Sequence, residues 1–332
     1  MLCHFNGTLL ISVLPPLLVT EIVLGILGNG FALWVFLIHL KPWKSSTVIL
    51  FNLAAADFLL IMALPFRASY YMSGLSWMFG GALCNICLFM LAMNRTGSTF
   101  FLMAIAVDRY MRVVHPHHPI NSISVSKAMF GALAIWLVTI SMTAHIFILK
   151  HDTMTNCESF RIDTEPNHNL NWHKTEFLFS FYFPLFVILY CTFNIISHLR
   201  ERKLAQHAKI KKALCFITLV VVVFITCFLP SNIVLLLIWF KTSRGTLSES
   251  EICPAMEDLN SGFYISISLT YLNSVLDPVV YYFSTPAFKN ICRKVLHLPQ
   301  AEPTETTEGK TRETGSQSNV FFTSCTNVSN WL

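Results

Sequence analysis

Apolar stretches recur seven times along this chain, separated by short polar segments. They fall near residues 15–38, 48–72, 82–112, 125–149, 174–199, 210–240 and 259–284. A helix needs roughly 17–25 mostly apolar residues to cross a bilayer, and every stretch is at least that long. A barrel strand would show about ten residues of alternating polarity, a pattern missing here. In lipid each backbone amide must be paired within the protein, so the stretches are predicted to be helices. After the seventh, Phe288, Ile291, Cys292, Val295 and Leu296 repeat at helical spacing, while Lys289, Arg293 and Lys294 take the other face. That pattern predicts a short amphipathic helix on the inner leaflet. The expected fold is an all-α membrane protein, a seven-transmembrane helix bundle with a short amphipathic eighth helix. Its expected parts are an extracellular N-terminus 1–14, a transmembrane domain 15–284, the amphipathic helix 285–297 and a disordered cytoplasmic tail 298–332 rich in Thr, Ser and Glu.

Composition agrees with the pattern. Of 332 residues, 54% are hydrophobic and 12% charged, against about 25% charged in soluble domains. No basic patch precedes the first apolar stretch, so no cleaved signal peptide is expected. Lysines and arginines collect after spans one, five and seven: Lys41 and Lys44, then Arg200 to Lys212, then Lys289 to Lys294. By the positive-inside rule these loops are cytoplasmic and the N-terminus lies outside. The net charge of +5 comes from these loops, and nucleic-acid binding is not expected. Asn6-Gly7-Thr8 is then a glycosylation site in the outer arm. Cys3, Cys84, Cys157 and Cys253 fall on the outer, oxidising side. Four cysteines allow three connectivities, and the sequence does not choose among them.

Charged and polar residues inside the spans carry the candidate chemistry. Arg95 lies 11 residues after Cys84, about 16 Å below the outer end at about 1.5 Å per residue. A cation at that depth costs roughly 2.5–3.5 kcal/mol, so it needs a polar cavity or a partner. A guanidinium grips a carboxylate through two parallel hydrogen bonds, which suits an acidic ligand. The competing reading is a salt bridge to Asp57 or another internal acid. Arg67, near the outer end of span two, is a second candidate cation. Asp57 and Asp277 form a buried acid pair which, with Asn94, Ser98 and Asn273, presents the oxygen ligands of a sodium site. Pro184, Pro230 and Pro278 interrupt apolar runs and bend their helices. Asp108-Arg109-Tyr110 ends span three, where Arg109 can pair with Asp108 in a resting state and leave it in another. His115, His117 and His118 read as a solvated loop. No Gly-x-Ser-x-Gly, HExxH or Walker loop is present, so no enzyme and no cofactor beyond an allosteric sodium ion is expected.

Gly28-Asn29, Leu53 to Asp57, Cys84, Asp108-Arg109-Tyr110, Trp136, Pro184, Phe228 with Pro230, and Asp277-Pro278 to Tyr281 together resemble the rhodopsin-like G-protein-coupled receptors. The resemblance extends to about residue 297. It implies a plasma-membrane receptor, a heterotrimeric G protein at the cytoplasmic face, arrestin and receptor kinases at the tail, and a Cys84–Cys157 disulfide. Cys3 and Cys253 then remain as a second candidate pair. The resemblance also implies a switch built from Asp108, Arg109, Tyr110, Phe228, Pro230, Pro278 and Tyr281. Phe228 stands where the family usually has tryptophan, Asp277 where it has asparagine, and Thr192 where many relatives have tyrosine.

A narrower match runs through Phe89 to Arg95, Val113 to His118, Cys157-Glu158-Ser159-Phe160 and Leu269 to Pro278. These segments look like the hydroxycarboxylic acid and oxoeicosanoid receptor group. In that group the arginine matching Arg95 anchors the ligand carboxylate, the tyrosine matching Tyr271 assists, and the loop residues matching Ser159 and Phe160 line the pocket. Tyr70, Trp77 and Leu235 complete the candidate ligand set with Arg67. The group signals through Gi/o proteins, which lower cyclic AMP. Leu235 replaces a basic residue found in hydroxycarboxylic acid receptors, and the outer loop around Phe160-Arg161-Ile162 looks more like the oxoeicosanoid receptor. The expected ligand is therefore an oxidised fatty acid. A short hydroxy- or ketocarboxylic acid is the alternative, and a carboxylate transporter is the alternative from another class.

Overall fold

The computed structural model describes residues 7–148, 157–158, 168–201, 208–243, 249–295 and 297. Seven long helices follow in order: α1 Thr8–Trp34, α2 Ser45–Met72, α3 Gly81–Val114, α4 Val125–Thr143, α5 His168–Glu201, α6 Ala208–Ser243 and α7 Glu249–Ser284. A π-helical turn, Val35–His39, prolongs α1, and a 3-10 turn, Ala144–Ile148, prolongs α4. A short α8 spans Pro286–Val295. The described residues contain no strand. By compactness the chain divides after Lys289: the first unit, Met1–Lys289, holds the seven long helices, and the second, Asn290–Leu332, opens with the last turns of α8. Arg293 and Lys294 in that final turn complement the negative end of the helix dipole.

Inside the first unit α1 packs on α2 and α7, α3 on α2 and α5, and α6 on α7. Helix α3 is the axis of the bundle: 72% of its most apolar window is buried, against 22% for α4. The difference follows from sequence. One face of α3 carries Asn94, Arg95, Thr96, Ser98 and Thr99, all buried, while α4 turns Met129, Phe130, Leu133 and Leu137 outward. Close approaches need particular residues. A Cβ at Gly28 would stand 2.7 Å from Pro278 Cγ, so only glycine lets α1 and α7 meet there. Trp136 Nε1 donates to Asn52 Oδ1 at 2.8 Å and ties α4 to α2.

Two boundaries differ from the sequence expectation. Helix α1 begins at Thr8, ahead of the expected residue 15, and continues through Pro15 and Pro16. Leu10, Leu14 and Leu18 are buried one above another in the apolar core, and that packing offsets the backbone donors the prolines lack. The second concerns α7. Six helices, α1 to α6, are long and apolar enough to cross a membrane by length and composition among the described residues, and α7 is not one of them. Its polarity is turned inward: Asn260, Ser261, Ser268, Thr270, Asn273, Ser274 and Asp277 are all buried. Polar groups within a membrane bundle belong on such an inward face.

Candidate functional site

Arg95, Arg67 and Tyr271 open onto one cavity of about 530 Å³, open solvent at its mouth included. Leu88, Leu91, Ala92 and Ile267 give it apolar walls, and Thr96, Glu176 and Phe177 face Arg95 across α3 and α5.

The Arg95 guanidinium is 5% exposed. Its Nη1 donates to Ser180 Oγ at 2.8 Å, and its Nη2 donates to the Phe177 carbonyl at 3.1 Å and, at 3.5 Å, to Asn232 Oδ1. The Phe177 ring lies beneath it, 3.3 Å from centroid to guanidinium carbon. Nε has no hydrogen-bond partner among the described residues. Every one of these contacts is neutral, and among the described residues no carboxylate lies within 4 Å of the group. Asp57, the internal acid considered as its partner, is engaged elsewhere by Asn94, Ser98 and Tyr281.

Arg67 is held differently. Its Nη1 donates to the Cys157 carbonyl and its Nη2 to Tyr71 Oη at 2.9 Å. The guanidinium also sits over the rings of Tyr70, Tyr71 and Tyr264, 5.0 to 5.8 Å from their centroids. Cys157 is joined to Cys84 at the start of α3, with Cα atoms 5.7 Å apart. Arg67 thus ties Cys157, and through its disulfide the start of α3, to α2. Tyr70 helps, its hydroxyl donating to Glu158 Oε1 at 3.3 Å.

The structure brings only part of the sequence-derived ligand set together. Tyr70 and Trp77 are buried in the outer core and do not line the cavity. Trp77 Nε1 closes the turn before α3 by donating to the Gly80 carbonyl at 2.8 Å. Leu235 packs with Phe177, Ile238, Met256 and Phe263 in a separate apolar cluster and is likewise absent from the lining. Ser159, Phe160, Cys3, Asn6, the Arg161-Ile162 loop and the tail 298–332 lie outside the described residues, as does the side chain of Cys253. Sequence reasoning missed Thr96, Glu176, Ser180 and Asn232. A signal existed for two of them: Glu176 and Ser180 stand four apart, hence on one face of α5.

Deeper in the bundle, Asp57 accepts from Asn94 Nδ2, Ser98 Oγ and Tyr281 Oη at 3.1 to 3.4 Å. Asn273 Nδ2 donates to Asp277 Oδ2 at 2.8 Å, and Asn29 Nδ2 to the Ser274 carbonyl at 2.7 Å. Asp277 Oδ1, Asn273 Oδ1 and Ser274 Oγ are buried there, with no hydrogen bond of good geometry among the described residues. Two carboxylates and orphaned oxygens at one place suit a small hard cation.

At the inner end the expected ion pair of Asp108 with Arg109 is present but long, and Asp108 holds other partners more closely. Arg112 Nε holds both Asp108 oxygens at 2.9 and 3.0 Å, and Ser46 Oγ donates to Asp108 at 3.0 Å. Arg109 Nε is 3.9 Å from Asp108, while Arg109 Nη2 donates to Ser284 Oγ at 2.7 Å and the side chain lies over Phe216. Spacing explains why the Arg112 contact is the closer one, because residues four apart share a helix face and neighbours do not.

The family described as 7 transmembrane receptor (rhodopsin family) matches residues 28–281. Human hydroxycarboxylic acid receptor 2 is 47% identical over 87% of this chain and 78% of its own length. Human hydroxycarboxylic acid receptor 1 is 42% identical over 99% of this chain and 93% of its own. Human oxoeicosanoid receptor 1 is 40% identical over 89% and 76%.

Proposed function

Because this chain belongs to the rhodopsin family of seven-transmembrane receptors, G-protein-coupled proteins of the plasma membrane, we propose that it senses an oxygenated carboxylic acid and signals through Gi/o to lower cyclic AMP. One observation carries the reading: Arg95 is a buried cation whose hydrogen bonds among the described residues go to neutral groups, facing a cavity it shares with Glu176. A desolvated charge is unfavourable until an opposite charge reaches it, and a ligand carboxylate supplies one. Tyr271, on the same cavity, adds a hydroxyl. A carboxylate transporter is not supported, since the relatives are receptors, and receptors rather than enzymes.

Chain length is the finer question. A compact hydroxy- or ketocarboxylic acid is the first reading. Leu235, the residue that pointed to a fatty acid, stands apart from the cavity. An oxidised fatty acid is the second reading. Phe177 and Ile267 belong both to the cavity wall and to the apolar cluster around Leu235, so a longer chain has an apolar direction to extend.

The mechanism begins at Arg95. A carboxylate binding there competes with Asn232 Oδ1, the longest of its contacts. Asn232 in turn donates to the Phe228 carbonyl at 2.8 Å, across the Pro230 break of α6. Releasing Asn232 loosens α6 from α3 at its hinge. In the active state the inner end of α6 moves and Arg109 leaves Ser284 for the G protein. The Asp57–Asp277 oxygens hold a sodium ion in the resting state, arrestin and receptor kinases act on the tail, and the N-terminus faces outward. A cyclic AMP inhibition screen with acids graded from lactate to keto-eicosanoids tests the proposal. A response confined to acids, lost in Arg95→Ala, supports it; equal responses to acids and neutral analogues overturn it.

A further inference from the structure

Helix α1 carries a single charged residue, Glu21, within the apolar run Thr8–Trp34. The side chain does not face lipid. It is 2% exposed, and neither carboxyl oxygen has a hydrogen-bond partner among the described residues. An ionisable group inside a membrane bundle is expensive to keep, which marks it as functional. Leu18 and Gly25, one turn to either side, are buried as well. A Cβ at Gly25 would stand 3.0 Å from Ile61, so this face lies against α2, and α7 packs on the same helix. The titratable groups of those helices are engaged with others. On α2, Arg67 holds the Cys157 carbonyl and Tyr71, Tyr70 holds Glu158, and Asp57 accepts from Asn94, Ser98 and Tyr281. On α7, Asp277 accepts from Asn273, and the Tyr264 ring packs on Arg67. On α6 the buried Cys227 is in electrostatic reach of Glu21. Tyr271 of α7 is the link to the cavity: it lines the cavity wall and lies in electrostatic reach of Glu21, Arg67 and Arg95 at once.

We propose that Glu21 is a proton-binding site coupled to the carboxylate site, so that the receptor takes an acid as two ions, the anion at Arg95 and a solvent proton on Glu21. The proposal rests on the carboxylate reading of the cavity. A carboxyl closed in among apolar side chains without a hydrogen bond holds its proton more firmly than one in water. An anion entering on the other side of Tyr271 adds a like charge to the same low-dielectric bundle, which repels an ionised Glu21 and favours the protonated one. Coupling is reciprocal, so a proton on Glu21 tightens anion binding by the same factor by which the anion tightens the proton. The sign follows: affinity for the anion is full at the acid end and falls as rising pH strips Glu21.

The test is competition binding of an activating acid to the purified full-length receptor in lipid nanodiscs, from about pH 6 to about pH 9 at constant ionic strength. A simple carboxylic acid is ionised throughout that range, so its own titration adds nothing. Wild-type affinity is expected to fall by about fivefold or more toward the alkaline end. Glu21→Gln and Glu21→Leu, neutral at every pH, should keep the acid-end affinity across the range, and Glu21→Asp should restore the dependence. A wild-type affinity that does not change with pH overturns the proposal without any variant. A dependence that persists undiminished in both neutral variants overturns it too, and assigns the titration to other groups. Failure of the underlying reading looks different: Arg95→Ala would then bind the acid like the wild type at every pH.

Discussion

Two arginines face one cavity and behave differently because their partners differ. Arg67 is matched by a backbone carbonyl, a tyrosine hydroxyl and three aromatic faces. Its charge is already used in holding the outer loop. Replacing it with lysine removes the fork that spans both acceptors. Arg67→Lys is expected to lower the stability of the solubilised receptor by about 1.5–3 kcal/mol, the range for hydrogen bonds to charged groups. Thermal unfolding checks this, and an unchanged midpoint would count against the clamp. Arg95 by contrast keeps an Nε without a hydrogen bond among the described residues and donates only to neutral groups there, so its loss should be felt in ligand response rather than in surface expression. The sequence disclosed Arg95 because a cation in an apolar run needs a polar cavity or a partner. It did not disclose Glu176, since the partnership with Thr96 joins residues 80 apart in the chain.

At the scale of helices, α6 is the element with a built-in break. Pro230 lacks the donor that would close the turn, and the Asn232 amide bonds the Phe228 carbonyl while accepting from Arg95. Asn232→Leu cuts both contacts with a residue of similar size. Basal nucleotide exchange on Gi is expected to rise several-fold, because one tie holding α6 to α3 in the resting state is gone. Exchange at the wild-type basal level would remove Asn232 from the path. Helix identity was readable from hydrophobic length for α1 to α6. Helix α7 resembles a span less because Asn260, Asn273 and Asp277 serve the interior, and in α1 the prolines hid a turn that tertiary packing restores. The eighth helix was legible from its period alone.

For the whole molecule, the buried network around Asp57 and Asp277 lies between the cavity and the inner end, joining α2, α3 and α7. If sodium favours the resting arrangement there, it must weaken agonist binding, and agonist must weaken sodium binding by the same factor. Raising sodium at constant ionic strength should reduce agonist affinity by about fivefold or more, and Asp57→Asn should abolish that dependence in a radioligand competition assay. Sodium-independent affinity in the wild type would refute the site.

The central claim, that a deep guanidinium reads a carboxylate, is tested most directly on purified receptor reconstituted with Gi. Nucleotide exchange is measured with an activating acid and with its methyl ester, on wild type and on Arg95→Ala. A charge pair buried on binding is worth about 2–5 kcal/mol, so the ester should be weaker by at least about thirtyfold, and the variant should respond to neither. An ester as potent as its acid, or an Arg95→Ala receptor that answers the acid like the wild type, would contradict the account.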